Sequence, residues 1–219
     1  MNPKQKKEKK KTLAITGNPG VGKHTVAKLV ADRLGPQTVT IDLNKLAIEH
    51  GAILKKTPRG LDVDVKKLAR LVRERVRVSA GNNNDVLIVG HLVPYVVRPV
   101  DVDLVAVLRR SPYELVKTFA ARRYSAEKSR ENAASEILGV VFSDAFKAFG
   151  RRKVAEFDTT GRTPDKTADE IIQMLNKLLQ KRAGVVDWLA MVAEKGDMQK
   201  FFDLGLKKGR KERMNDKGK

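Results

Sequence analysis

Gly17-Asn18-Pro19-Gly20-Val21-Gly22-Lys23-His24-Thr25 is the stretch whose residue types and spacing most clearly specify chemistry. It follows a short apolar run, TLAIT, and opens an amphipathic one, HTVAKLVADRL. Glycines let the backbone turn its amide N–H groups inward, and a helix start adds positive potential. A lysine after the last glycine can then reach the β and γ phosphates of a nucleotide. Gly-x-x-x-x-Gly-Lys between a strand and a helix therefore reads as a phosphate-binding loop rather than as a plain glycine-rich turn.

His24 stands where such loops usually place a small hydroxyl residue. Magnesium prefers hard oxygen donors, so an imidazole does not take over the hydroxyl's role at the metal. Thr25 carries a hydroxyl one residue later, at a different angle around the helix.

Positioning this loop requires a sheet and covering helices. TLAIT, TVTID, DVLIVG, DLVAVLR and KVAEF read as strands, rich in β-branched residues and apolar on both faces. Between them lie helical patterns: HTVAKLVADRL, VKKLARLVRERV, PYELVKTFAARR, one continuous run SRENAASEILGVVFSDAFKAF, and PDKTADEIIQMLNKLL with a threonine cap and proline start at TPDK. Alternation of this kind means right-handed crossovers and a parallel sheet covered on both faces. Ligands of such sheets gather at the carboxyl ends of the strands. That selects Gly17–Thr25, Asp42, Gly90 and His91, Arg109 and Arg110, and Asp158–Gly161.

The chain has 219 residues, enough for one α/β domain with decorated ends. It has no apolar run near the ~20 residues of a membrane span, no secretory leader and no cysteine, so the cytoplasm is the expected compartment, or the nucleus in a eukaryote. The net charge of +19 exceeds what solubility needs, and its basic runs read either as solvated tails or as an attraction to polyanions, of which RNA is the most abundant candidate. Much of it sits in a basic tail over 1–11 and another over 207–219. A helical appendage is expected over 182–206, where Trp188, Phe201 and Phe202 either pack on the core or face a partner. His50 reads as an exposed position on an amphipathic helix.

Four stretches, ITGNPGVGKHTVAKLVADRLG, LIVGHL, VLRRSPYELVKTFAARRYSAEKSRENAASEI and FDTTGRTPDK, occur in an order that resembles the atypical adenylate kinases, a family with archaeal members and the eukaryotic nuclear isoenzyme 6. The resemblance covers residues 12–181. It implies an α/β P-loop NTPase fold of adenylate-kinase type: a five-stranded parallel sheet, a short monophosphate-binding insert over about 42–61 and a short lid over about 121–131. It also implies ATP with Mg2+, AMP or another nucleoside monophosphate as acceptor, and dual adenylate kinase and ATPase activity. The setting it implies is maturation of the small ribosomal subunit, through a small-subunit ribosomal protein or pre-ribosomal RNA. Carried over by position, Gly17, Asn18, Pro19, Gly20, Val21, Gly22, Lys23, His24 and Thr25 fall on the ATP phosphate loop. Arg122 in ARRY falls on the lid arginine, and Arg109 at the end of DLVAVLR on another arginine of the pattern. Lys23, Arg109, Arg122 and His91 are thus the catalytic candidates, and FDTTG could wall the base side.

The chain departs from the family in three places. Val89-Gly90-His91 stands where the family carries Asp-x-His, so the carboxylate is missing; Lys45 stands where an aspartate is usual; and His24 is the third. In the family's logic the aspartate orients magnesium through water and the histidine positions the attacking water. Asp42 or Asp85 could substitute for the lost carboxylate, and no residue is assigned as a metal ligand. Classical adenylate kinases also lack a hydroxyl directly after the lysine, so Val89 is the heavier departure. Two readings stand: an enzyme that exchanges ATP and AMP for two ADP, or a nucleotide-binding module whose basic surface engages RNA or a ribosomal protein. A kinase for another small acceptor is a third, against which GHL and DTTG argue.

Overall fold

The computed structural model describes residues 10–57 and 60–202. Most of the expected amino-terminal tail, and the 207–219 tail with the end of the expected appendage, lie outside these residues.

In chain order, β1 (Thr12–Gly17), α1 (Lys23–Leu34) and β2 (Thr38–Asp42) are followed by α2 (Leu43–Glu49) and a hairpin of β3 (Ile53–Thr57) and β4 (Gly60–Val63). Then come α3 (Val65–Gly81), β5 (Asp85–Val89), the single turn α4 (Val93–Val96), β6 (Leu104–Arg109) and α5 (Pro112–Ala121). The chain continues through α6 (Ala126–Ile137), α7 (Val140–Phe149), β7 (Val154–Asp158), α8 (Pro164–Leu175), α9 (Trp188–Glu194) and α10 (Met198–Phe201).

The five strands expected from the sequence form one parallel sheet in the order β2-β5-β1-β6-β7. Alternate strand residues feed opposite cores, as the two-residue repeat of a strand demands. Leu13, Ile15, Leu87 and Leu108 pack with Val26 and Val30 of α1, Phe119 of α5, Ile137 of α6 and Ile171 of α8. Ala14, Ile88, Val105 and Val107 pack with Leu46 of α2, Leu68 and Val72 of α3, Val93 of α4 and Phe149 of α7. Because β1 lies between β5 and β6, which connect on opposite sides of it, a crevice opens at its carboxyl end.

Two expectations are corrected by the tertiary arrangement. The single helical run over 129–149 is two helices, broken at Gly139 in the left-handed region (φ 62). The break is needed because α6 buries its apolar stripe in the first core and α7 in the second, so the chain must change faces. Similarly α8 ends at Leu175, with Lys177 at φ 61, and Leu178 and Leu179 lie exposed instead of extending the helix. The hairpin in the insert is legible only from structure: Leu54, Lys55, Lys56 and Thr57 of β3 are all exposed, so no alternation marks it.

Residues 182–202 are part of the body. Trp188, Val192 and Phe201 belong to the first core, Tyr113 meets Phe201 edge-on at 5.3 Å, and Glu156 of β7 donates its N–H to the Arg182 carbonyl at 2.7 Å.

Candidate functional site

The loop between β1 and α1 is shaped by three glycines with positive φ. A Cβ on Gly17 (φ +137) would sit 2.3 Å from the Leu108 carbonyl oxygen, so the backbone can turn here only without one. Gly20 (φ +91) seats the loop on α5, within 3.0 Å of Leu115 and Phe119 for any added Cβ. Gly22 (φ 94) caps α1 with no side chain, so no capping group competes for the first-turn N–H groups. The rest of the loop is pinned from below: Asn18 Nδ2 donates to Glu136 Oε2 at 2.7 Å, and Ser135 Oγ donates to Asn18 Oδ1 at 3.0 Å. The Thr159 hydroxyl bridges the Arg109 carbonyl at 2.9 Å and the Val21 carbonyl at 3.3 Å, tying FDTTG to the loop. Pro19 is half-buried and Val21 buried, while the Thr25 side chain is exposed.

Lys23 is the loop's charge. Its Nζ donates to the carbonyls of Gly17 and Asn18, each at 2.9 Å, and it is buried. Burial lowers its pKa to about 8; Glu136 and Asp42 oppose that shift, and Arg122 adds to it. Those neighbours show what the fold has assembled. Arg122, at the carboxyl end of α5, and Asp42, at the end of β2, are both close enough to act on the Lys23 ammonium. His91, on the rim after β5, joins them: desolvation and then the Lys23 charge press its pKa down to about 4, so its imidazole is neutral at physiological pH.

His24 is paired with Asp42. Its Nε2 lies 3.0 Å from Asp42 Oδ2, while Asp42 Oδ1 accepts from the N–H groups of Asn44 and Lys45 at 2.9 and 3.2 Å and so caps α2. Beside the pair lies a cleft of about 460 Å³ lined by His24, Lys28, Asp42, Lys45, Arg75 and Val89 among others. Val89 is buried and apolar at the strand end where a carboxylate was expected by resemblance. Asp85 is at the other end of β5, where it accepts the Lys11 N–H at 2.8 Å, and is thereby removed as a substitute. His50, the residue closing α2, is exposed, with its Nε2 3.3 Å from Arg75 Nη2.

Arg109 is placed differently from the expectation that it touches the transferring phosphate. Its guanidinium is buried and each of its three nitrogens is engaged: Nε donates to Glu136 Oε1 at 2.7 Å, Nη1 to Glu156 Oε1 at 2.6 Å and Nη2 to the Glu136 carbonyl at 2.8 Å. A guanidinium so committed holds the framework beneath the loop. Its partner Glu136, fully buried, is the residue that motif reasoning missed. Glu136 accepts from Asn18, Arg109, the Arg110 N–H and Trp188 Nε1, joining loop, strand, α6 and carboxy-terminal helix. A signal was present: glutamates on the Ala133–Ile137 apolar stripe of α6 and inside the apolar strand KVAEF must each find a buried cation.

The chain turns sharply after α5, at the start of the segment expected to form a lid. Arg123 adopts φ 54, and Tyr124 stacks on Phe119 at 5.4 Å, under the Lys128 ammonium. This leaves Arg122 exposed at the mouth of the loop. Among the described residues no cluster of three or more His, Asp or Glu could hold a metal ion by itself, and no helix is long and apolar enough to cross a membrane.

Comparison with known proteins bears on the family and the fold. A family model described as AAA domain matches residues 13–139. A protein named "Putative adenylate kinase" from Thermococcus onnurineus is 37% identical over 176 residues, covering 80% of this chain and 90% of its own. One of the same name from Thermococcus gammatolerans is 39% identical, covering 80% and 92%. Among solved structures, a sugar kinase from Janibacter superposes with a TM-score of 0.55 at 15% identity, over 76% of this chain and 95% of its own, a likeness of fold alone.

Proposed function

The chain belongs to the atypical adenylate kinase family, and from that premise we propose that it transfers the γ-phosphoryl group of ATP to AMP, giving two ADP, with slower ATP hydrolysis beside it. One observation carries the reading. The uncapped start of α1 and the Lys23 ammonium lie together at the end of β1, and Arg122 and the neutral His91 are near enough to interact electrostatically with that ammonium.

Phosphoryl transfer asks the protein for positioned positive charge more than for covalent participation. The α1 N–H groups and Lys23 would hold the β and γ phosphates, and Arg122 would close over them from the lid. Neutral His91 would orient a water or hydroxyl by accepting its hydrogen bond, without itself taking the proton, which its pKa of about 4 disfavours. FDTTG, tied to the loop by Thr159, walls the base side. Magnesium bound with ATP would spread the charge on the β and γ oxygens. Of the groups beside the loop, the Asp42 carboxylate has the oxygen donors such an ion prefers, whereas His24 does not. Arg109 serves by holding Glu136 and, through it, Asn18.

The setting we propose is small-subunit maturation, with pre-ribosomal RNA or a ribosomal protein as partner. Support for a polyanion comes from α3, where Lys66, Arg70, Arg73 and Arg77 are exposed at spacings that fall on one helix face. The second reading, a module that binds ATP without turning it over, is favoured by buried Val89 alone. ADP production from ATP, and from ATP with AMP, tests the two. AMP-dependent ADP formation in the wild type supports the kinase; silence in the wild type with activity restored by Val89→Asp supports the module.

A further inference from the structure

We propose that Asp42 is the carboxylate that orients the divalent cation accompanying ATP in this chain, replacing on β2 what Val89 lacks on β5, with His24 as the residue that holds it. The inference rests on the nucleotide reading above and adds a residue to it.

Three observations carry it. First, Asp42 and Val89 are register partners on adjacent parallel strands, so their side chains leave the sheet on the same side. Both line the cleft beside α1, and a carboxylate lost from one strand returns on the next, about 4.8 Å away. A cation that keeps its water shell can be oriented over such a displacement, because the carboxylate meets it through water. Asp85 offers no such route from the far end of β5.

Second, Asp42 is held for the task. Its side chain is only 15% exposed, against 58% for His24. A carboxylate offers about four acceptor positions. Oδ1 uses two on the N–H groups of Asn44 and Lys45, and Oδ2 uses one on His24 Nε2. One position on Oδ2 is left for the water of a cation.

Third, the clamp starts in the phosphate loop itself. His24 follows Lys23 directly, and the Asp42 charge acts on the Lys23 ammonium, so the carboxylate shares the electrostatic field of the phosphates. An imidazole after the lysine is a poor magnesium ligand but a good donor to a carboxylate, which gives His24 a purpose that its place in the loop does not.

Calorimetry of ATP binding, with magnesium and then with a chelator, measures this apart from turnover. In the wild type magnesium should tighten ATP binding about tenfold, and in Asp42→Asn the ratio of affinities with and without metal should shrink to less than about twofold. Asparagine caps a helix as well as aspartate does, so α2 should survive the change. Asp42→Asn combined with Val89→Asp should recover the magnesium effect, and His24→Ala should weaken it. An unchanged magnesium response in Asp42→Asn, or no recovery in the double variant, overturns the proposal and leaves the kinase reading standing. Failure of the wild type to bind ATP with or without metal overturns both.

Discussion

Asn18 of the phosphate loop donates to Glu136 of α6 at 2.7 Å, and neither side chain is exposed. Glu136 also receives Arg109 at 2.7 Å and Trp188 at 3.1 Å, so one buried carboxylate holds the loop, a strand end and the carboxy-terminal helix in register.

Removing that charge should cost more than removing a hydrogen bond. Glu136→Gln leaves the Arg109 guanidinium buried with Glu156 as its one carboxylate, and the expected loss is about 3 kcal/mol, read as a lower midpoint in denaturant. Pairing Arg109→Met with Glu136→Leu should recover part of the loss, because the orphaned charge goes with it. Arg109→Met alone should lower stability and leave the KM for ATP within about twofold. A selective loss of kcat in a stably folded Arg109→Met protein would return Arg109 to the catalytic set.

Lys23 sets a pH limit on nucleotide binding. Its pKa in the folded protein, about 8, lies below the ordinary 10.5. The ammonium that phosphate needs is therefore lost as pH rises through about 8, and ATP affinity should weaken from there, with Lys23→Met flattening the profile. Stability moves the opposite way. Between about 8 and 10.5 the unfolded chain binds more protons at this lysine than the folded one, so its contribution to stability rises with pH across that window. Below the window the buried ammonium costs the fold a few kcal/mol, at roughly 1.4 kcal/mol for each tenfold weakening of its hold on the proton. Lys23→Met should then raise the melting temperature at neutral pH while abolishing tight ATP binding.

Gly20→Ala brings a Cβ within 2.9 Å of Leu115 and 3.0 Å of Phe119 at a φ of +91. Strain of this kind costs about 1–3 kcal/mol, and relief would lift the loop from α5. The expected result is a folded protein of reduced stability whose ATP affinity falls more than tenfold, about 1.4 kcal/mol.

Trp188 is the single tryptophan of the chain and is 9% exposed, so its fluorescence reports one place. Native emission should be blue-shifted and should move to the red in step with global unfolding, because α9 is part of the core. Trp188→Phe keeps the packing and removes the donor to Glu136, at a cost of about 2 kcal/mol. An unfolding transition of Trp188 well ahead of the far-ultraviolet circular dichroism would show residues 182–202 to be a separate unit.

How much of this was legible varies with the range of the interaction. Five strands and the phosphate loop could be read because each is local: an apolar run of β-branched residues, or glycines ahead of a lysine. The break at Gly139 was harder to read, since apolar residues continue on both sides of it, and it is the need to cross from one face of the sheet to the other that divides the run. The buried surroundings of Arg109 were hidden for a related reason. A strand-end arginine is a phosphate ligand or a framework cation according to which carboxylates pack around it, and Glu136 and Glu156 lie 27 and 47 residues away.

From sequence alone came the five strands and the glycine-lysine loop, because propensity, periodicity and motif spacing act over a few neighbours; the missing carboxylate at Val89 is what the family resemblance implies. Only the folded chain decided which charges meet. Strand register set Asp42 beside Val89, and helix packing buried Arg109 while leaving Arg122 at the mouth. Those choices depend on distances between residues far apart in the chain, and burial strengthens or cancels a charge only once such partners have been brought together.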